Sequence, residues 1–171
     1  MFTKAGIEKY FFAEKQGSLF FLVIGIIAVL LAISFYFFLK NNFYKGAAIP
    51  LIIIGIIQMV VGYTVYARSD KQRIDNVYAY DMNPGKLKNE ELPRMKIVNK
   101  NFITYRWTEI VFIIAGIGLI IYFNANKERG FWFGLGITVA IQAAIMLSAD
   151  YFAEKRAKVY TSLLESLVQK Q

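Results

Sequence analysis

The chain has 171 residues, 57 % of them hydrophobic, a formal charge of +8, and neither cysteine nor histidine. It is too apolar for an ordinary soluble domain and has length for only one. The missing residue types exclude disulfides, thiolate and imidazole metal sites, and histidine acid–base chemistry.

At the start, Thr3 is placed to cap a short helix carrying Ile7, Tyr10 and Phe11 on one side, expected to lie at a membrane surface. Four charge-free runs follow, of 24 residues (16–39), 22 (46–67), 17 (110–126) and 20 (130–149). A helix rises about 1.5 Å per residue and a bilayer core is about 30 Å thick, so about 20 apolar residues cross it. Trp107 and Thr108 extend the third run to headgroup level, where Trp is favoured. Without water to satisfy backbone amides, every run must be helical. The predicted spans are 18–39, 46–67, 107–125 and 130–149. The first reads as a retained span rather than a cleaved signal, because it is longer than a signal's apolar region and no small-x-small site precedes Lys40.

Residues 68–106 are too many for a plain connection and read as helical extensions of the second and third spans. Ile74, Val77 and Tyr78 keep helical spacing, with Lys71 and Asp75 as an i,i+4 pair. Asn83-Pro84-Gly85 reads as a turn in which Gly85 supplies a positive φ. A helix start is expected between Asn89 and Pro93, with Glu90 and Glu91 at the positive end of its dipole. Leu92, Met95, Val98, Phe102 and Tyr105 then form an apolar stripe, a candidate docking surface on the cytoplasmic side. A last helix over 150–168 carries Val159, Tyr160, Leu163, Leu164 and Leu167 on one side. The three apolar stripes are expected to bury against each other, a partner protein being the other candidate.

Charge sets the orientation. Sixteen of the twenty Lys and Arg residues lie before the first span, between 68 and 106, or after the fourth. Only Lys40, Lys45, Lys127 and Arg129 lie in the two short hairpin loops. Cationic side chains flanking membrane helices are retained in the cytoplasm, which places both termini and the middle segment inside.

A shift of 84 residues lays the second span on the fourth, matching Gly46 with Gly130, Leu51 with Leu135, Ile57 with Ile141, Gln58 with Gln142 and Lys71 with Lys155. Both hairpins leave from the same side, so a duplication would be of the parallel type. Gln58 and Gln142 must face other helices or water, because an amide in lipid is left unsatisfied. They are read first as an interhelical hydrogen bond, and otherwise as the lining of a polar site or path. Gly136, Ala140, Ala144 and Ser148 recur every four residues as a packing ridge, with Gln142 on roughly the opposite side. Glu109 and Asp150, the acids at span edges, are expected in water or beside a Lys or Arg, and not as proton carriers. Tyr63, Tyr66, Tyr78, Tyr80 and Tyr105 interleave with Arg68, Lys71, Arg73 and Arg106, a pattern that suits single-stranded nucleic acid. An aromatic belt with positive-inside charge produces the same pattern, so nucleic acid is disfavoured.

The residues therefore point to an all-α, polytopic membrane protein: one membrane domain over 1–171, four spans in two parallel hairpins, with helical cytoplasmic extensions. The expected function is a non-catalytic subunit of the bacterial inner membrane that self-associates or docks a partner on the cytoplasmic side. The alternative is a homo-oligomeric channel or membrane-disrupting pore. No residue is assigned to catalysis, a cofactor or a metal.

Overall fold

The computed structural model describes residues 2–124 and 129–169. Residue 125 of the third predicted span, Asn126, Lys127 and Lys170 lie outside them. Four long helices account for nearly all of it: α1 (Lys4–Ser34), α2 (Asn42–Met82), α3 (Leu92–Phe123) and α4 (Gly130–Val168), with no strand among the described residues. All four are long and apolar enough to cross a bilayer.

Thr3 Oγ1 accepts a hydrogen bond from the Gly6 amide at 3.1 Å and starts α1. From there the helix runs unbroken into the first apolar run, so the expected separate surface helix does not exist. Propagating a helix satisfies one more backbone pair per residue, whereas a bend would leave groups to be paired anew. Ile7 and Phe11 are consequently buried inside the protein instead of lying on a membrane surface. Such side chains each contribute about 1.5–3 kcal/mol on full burial. A π-helical turn, Phe35–Leu39, ends this helix, and Lys40 at φ 46° reverses the chain. Asn41 Oδ1 then accepts from the Phe43 amide at 3.1 Å and caps α2.

The second reversal also differs from expectation. Gly85 has no positive φ. Asn83, at φ −150° and ψ 70°, changes direction by itself, and Pro84 opens the next helical turn (Pro84–Lys86) as its first residue. Proline fixes a helical φ and lacks a donor that would be unpaired there anyway. A π-helical turn, Leu87–Glu91, leads into α3, so helical structure resumes earlier than the 89–93 region.

Helices α1 and α2 pack as an antiparallel hairpin, as do α3 and α4, and α2 and α4 lie together in the centre. The central pair is parallel, since Phe43 meets Gly134 near one end and Gln58 meets Gln142 further along both helices. This is the arrangement a parallel repeat would give. The central helices touch backbone to backbone: a Cβ on Gly46 would stand 1.9 Å from the Phe131 carbonyl oxygen. Pro50, buried one turn further on, leaves α2 continuous.

Beyond the apolar runs, the charged ends of all four helices close into a head. Its core holds Phe2, Ile7, Tyr10 and Phe11 of the N-terminal part, Ala79 of α2, Leu87, Leu92 and Met95, and Ala157, Tyr160 and Leu164 of α4. The three apolar stripes bury one another except at Tyr105 and at Val159, expected on the apolar side of the last helix but exposed.

Candidate functional site

Three polar places stand out from this apolar frame. The first lies between the central helices. Gln58 is 0 % exposed and Gln142 3 % exposed, and Gln58 Nε2 donates to Gln142 Oε1 at 3.4 Å. Gln58 Oε1 has no partner among the described residues. A long bond between neutral amides ties helices weakly, on the order of 0.6 kcal/mol, and a fully buried side chain borders no water path within one chain.

The small-residue ridge of α4 divides. Gly136 and Ala140 meet α3 at Gly116, whose added Cβ would come within 2.7 Å of the Gly136 carbonyl oxygen and 2.9 Å of Ala140 Cβ. Ala144 and Ser148 are exposed, and Ala143 is the buried neighbour. Within one chain, therefore, only the first half of the row packs on a neighbouring helix. Each four-residue step turns about 40° around a helix with 3.6 residues per turn, so over 136–148 the row winds about 120° away from its neighbour. Gln142 faces α2 while Gly136 and Ala140 face α3, which occupies both contact faces within one chain.

The second place is an ionic cluster inside the head. Arg94 Nε and Nη2 each donate to the Glu91 carboxylate at 2.7 Å, a bidentate pair whose glutamate is buried. The Arg94 guanidinium also lies 5.8 Å over the Phe11 ring. Tyr10 and Tyr160 stack beside it with ring centroids 4.2 Å apart and planes 8° apart, and the Tyr10 hydroxyl donates to Met95 Sδ at 3.6 Å. Burial pushes both phenols above their ordinary range, and Glu14 and Glu91 push in the same direction on Tyr10 and Tyr160 respectively. Burial also raises Glu14, against the opposing pull of Arg94 and Arg68. Burial works against the charge of Arg94, but the hydrogen-bonded Glu91 more than offsets it and holds the guanidinium protonated.

The stripe Leu92, Met95, Val98, Phe102 and Tyr105 belongs to the same core. Leu92 and Met95 are buried, Val98 and Phe102 are partly buried against the cluster, and only Tyr105 is exposed. Most of it is therefore occupied by this chain itself.

The third place is the boundary between α3 and α4. Glu109 is 3 % exposed, neither carboxylate oxygen has a hydrogen-bond partner among the described residues, and its charged neighbour is Asp150. This corrects the expectation of a solvated acid beside a cation. The nearby cations are taken elsewhere, because Glu154 binds Arg106 at 3.4 Å and Lys158 at 2.6 Å. Sequence reasoning missed this pair because Glu109 and Asp150 are 41 positions apart, and neither edge position reveals which way it faces. The Glu91–Arg94 pair did carry a signal, an i,i+3 acid–base spacing next to a proline-led helix start.

Among the described residues, no group of three or more acidic side chains is placed to hold a metal ion. No known protein family matches the chain, and neither a curated protein nor a solved structure matches it.

Proposed function

We propose that the chain is a multi-pass subunit of a bacterial cytoplasmic membrane, with both termini and residues 68–106 on the cytoplasmic side, and that it works non-catalytically by self-association. Four helices able to cross a bilayer and sixteen of twenty cations outside the hairpin loops support the placement. The observation that carries the association is the surface left on the head. Ile74, Tyr78 and Met82 recur every four residues on α2 and are 59 %, 65 % and 71 % exposed. An apolar row outside the membrane favours being covered, and a second copy offers the same row in return across a two-fold contact. The channel alternative gains nothing from the glutamines, which are dry within one chain.

The mass of the full chain in lipid nanodiscs and mild detergent, by light scattering, tests the reading. Wild type is expected to form a dimer or larger assembly, and Ile74→Ser with Tyr78→Ser to give a monomer of unchanged helicity. A monomeric wild type at micromolar concentration, or a double variant that assembles as before, would overturn it.

A further inference from the structure

A groove of about 660 Å³ runs along the α1–α2 hairpin, from Ala5 and Arg73 in the head to Leu19 and Tyr66. Leu19 and Tyr66 belong to the charge-free runs and Arg73 lies beyond them, so the groove crosses the level at which charge stops. Its two ends differ in kind. Toward the apolar end Phe12 and Leu19 are 60 % and 44 % exposed. Toward the charged end three cations, Lys9, Lys15 and Arg73, face two acids, Glu8 and Asp70, which leaves one positive charge in excess. Lys15 is committed, since its ammonium binds Asp70 and stands 4.7 Å over the Tyr66 ring. Arg73 is held loosely, 3.9 Å from Glu8 Oε1 and 3.9 Å from Asp70 Oδ1, both beyond hydrogen-bond length. Among the described residues, none of the groove's ion pairs includes Lys9.

We propose that this groove binds one anionic phospholipid, its phosphate on Arg73 and Lys9 and the start of its acyl chains on Phe12 and Leu19. The site needs the four crossings proposed above, which bring the headgroup layer to its level, but neither their orientation nor self-association. A guanidinium presents paired N–H donors that match two phosphate oxygens, and an ammonium adds a point charge. The single negative charge of a phosphodiester balances the excess. A zwitterionic lipid brings its own ammonium and leaves that excess standing. A soluble anion would leave Phe12 and Leu19 without an apolar partner, whereas a lipid covers them with its chains. Basic residues at headgroup level attract anionic lipid everywhere on such a protein. This place differs because two cations without close partners and two bare apolar side chains line one groove.

The test is native mass spectrometry of the full chain in dodecyl maltoside, titrated with dioleoyl phosphatidylglycerol or with dioleoyl phosphatidylethanolamine as the chain-matched zwitterionic control. The first phosphatidylglycerol is expected to bind about tenfold more tightly than the first phosphatidylethanolamine. Lys9→Gln with Arg73→Gln is expected to erase that preference. Lys100→Gln with Lys155→Gln removes the same charge from two exposed positions elsewhere on the head and is expected to keep it. Phe12→Ser with Leu19→Ser is expected to weaken binding of both lipids. Equal binding of the two lipids in wild type, a preference that survives Lys9→Gln with Arg73→Gln, or lipid binding unchanged by the serine pair would each overturn the proposal. Equal losses in the two glutamine pairs would overturn it as well, because the attraction would then be spread over the whole head. Displacement of the lipid by glycerol 3-phosphate at equal concentration would assign the site to a soluble anion and overturn the choice of a lipid. Resistance of wild type to carbonate extraction from cell membranes, measured in parallel, separates failure of the lipid site from failure of the membrane reading.

Discussion

Replacing Arg94 with Met removes the partner of a buried carboxylate and keeps most of the side-chain volume. The Glu91 side chain is 6 % exposed and that of Arg94 25 %, so water cannot readily reach the glutamate once the guanidinium is gone. Breaking a buried pair from one side costs about 3–5 kcal/mol. Partial exposure of Arg94 lowers this to roughly 2–4 kcal/mol, because some solvent enters from its side. For a protein of this length each kcal/mol moves the melting temperature by about 2–4 °C, so a fall of roughly 5–15 °C is expected. The stacked Tyr10–Tyr160 pair makes near-ultraviolet circular dichroism a direct probe of the head. Replacing both partners, Glu91→Leu with Arg94→Met, leaves no buried charge and should recover most of the loss. An Arg94→Met protein melting within about 2 °C of wild type, or a double variant less stable than the single one, would refute the claim that this pair is desolvated.

Other expectations follow from the same contacts. Gln58→Leu with Gln142→Leu removes donor and acceptor together, so the double variant should fold with a stability change below about 1 kcal/mol; a large loss would mean that the amides hold more than one another. Ala143→Leu should cost about 1–3 kcal/mol by overpacking and the exposed Ala144→Leu much less, with equal melting curves contradicting the packing described. Glu14 holds its proton more tightly in the folded state than in the unfolded one, because burial raises it. Its stabilising share is therefore complete below the ordinary glutamate range and lost as pH rises through the raised folded value. Glu14→Gln should flatten the fall in stability from acidic to neutral pH and be at least as stable as wild type at pH 7. An unchanged slope would place the proton elsewhere.

The long elements were legible because charge stops where lipid would begin, and a charge-free run needs no knowledge of its neighbours. The glutamine contact was legible for a related reason: an amide inside an apolar run must find a partner, and the 84-residue shift put a second one at the same depth. What the sequence hid depends on the rotation of helices about their axes. Ile7 and Phe11 fit a surface helix and a buried one equally well, until the ends of the other helices are in place to cover them. Ala143 and Ala144 differ by one 100° step, and the winding of the four-residue row decides which is buried. Glu109 at the rim of a span could face water or α4, and the position of Asp150 settles the matter only in three dimensions.

The account rests on four crossings with both ends on one side, and site-directed labelling tests that directly. The sequence has no cysteine, so each introduced thiol is unique. A membrane-impermeant maleimide applied to intact cells should label Asn42→Cys, at the start of α2 beside the first reversal, and leave Asn83→Cys and Ser166→Cys unlabelled until the cells are opened. Labelling of Asn83→Cys from outside would contradict the orientation and the cytoplasmic head derived from it.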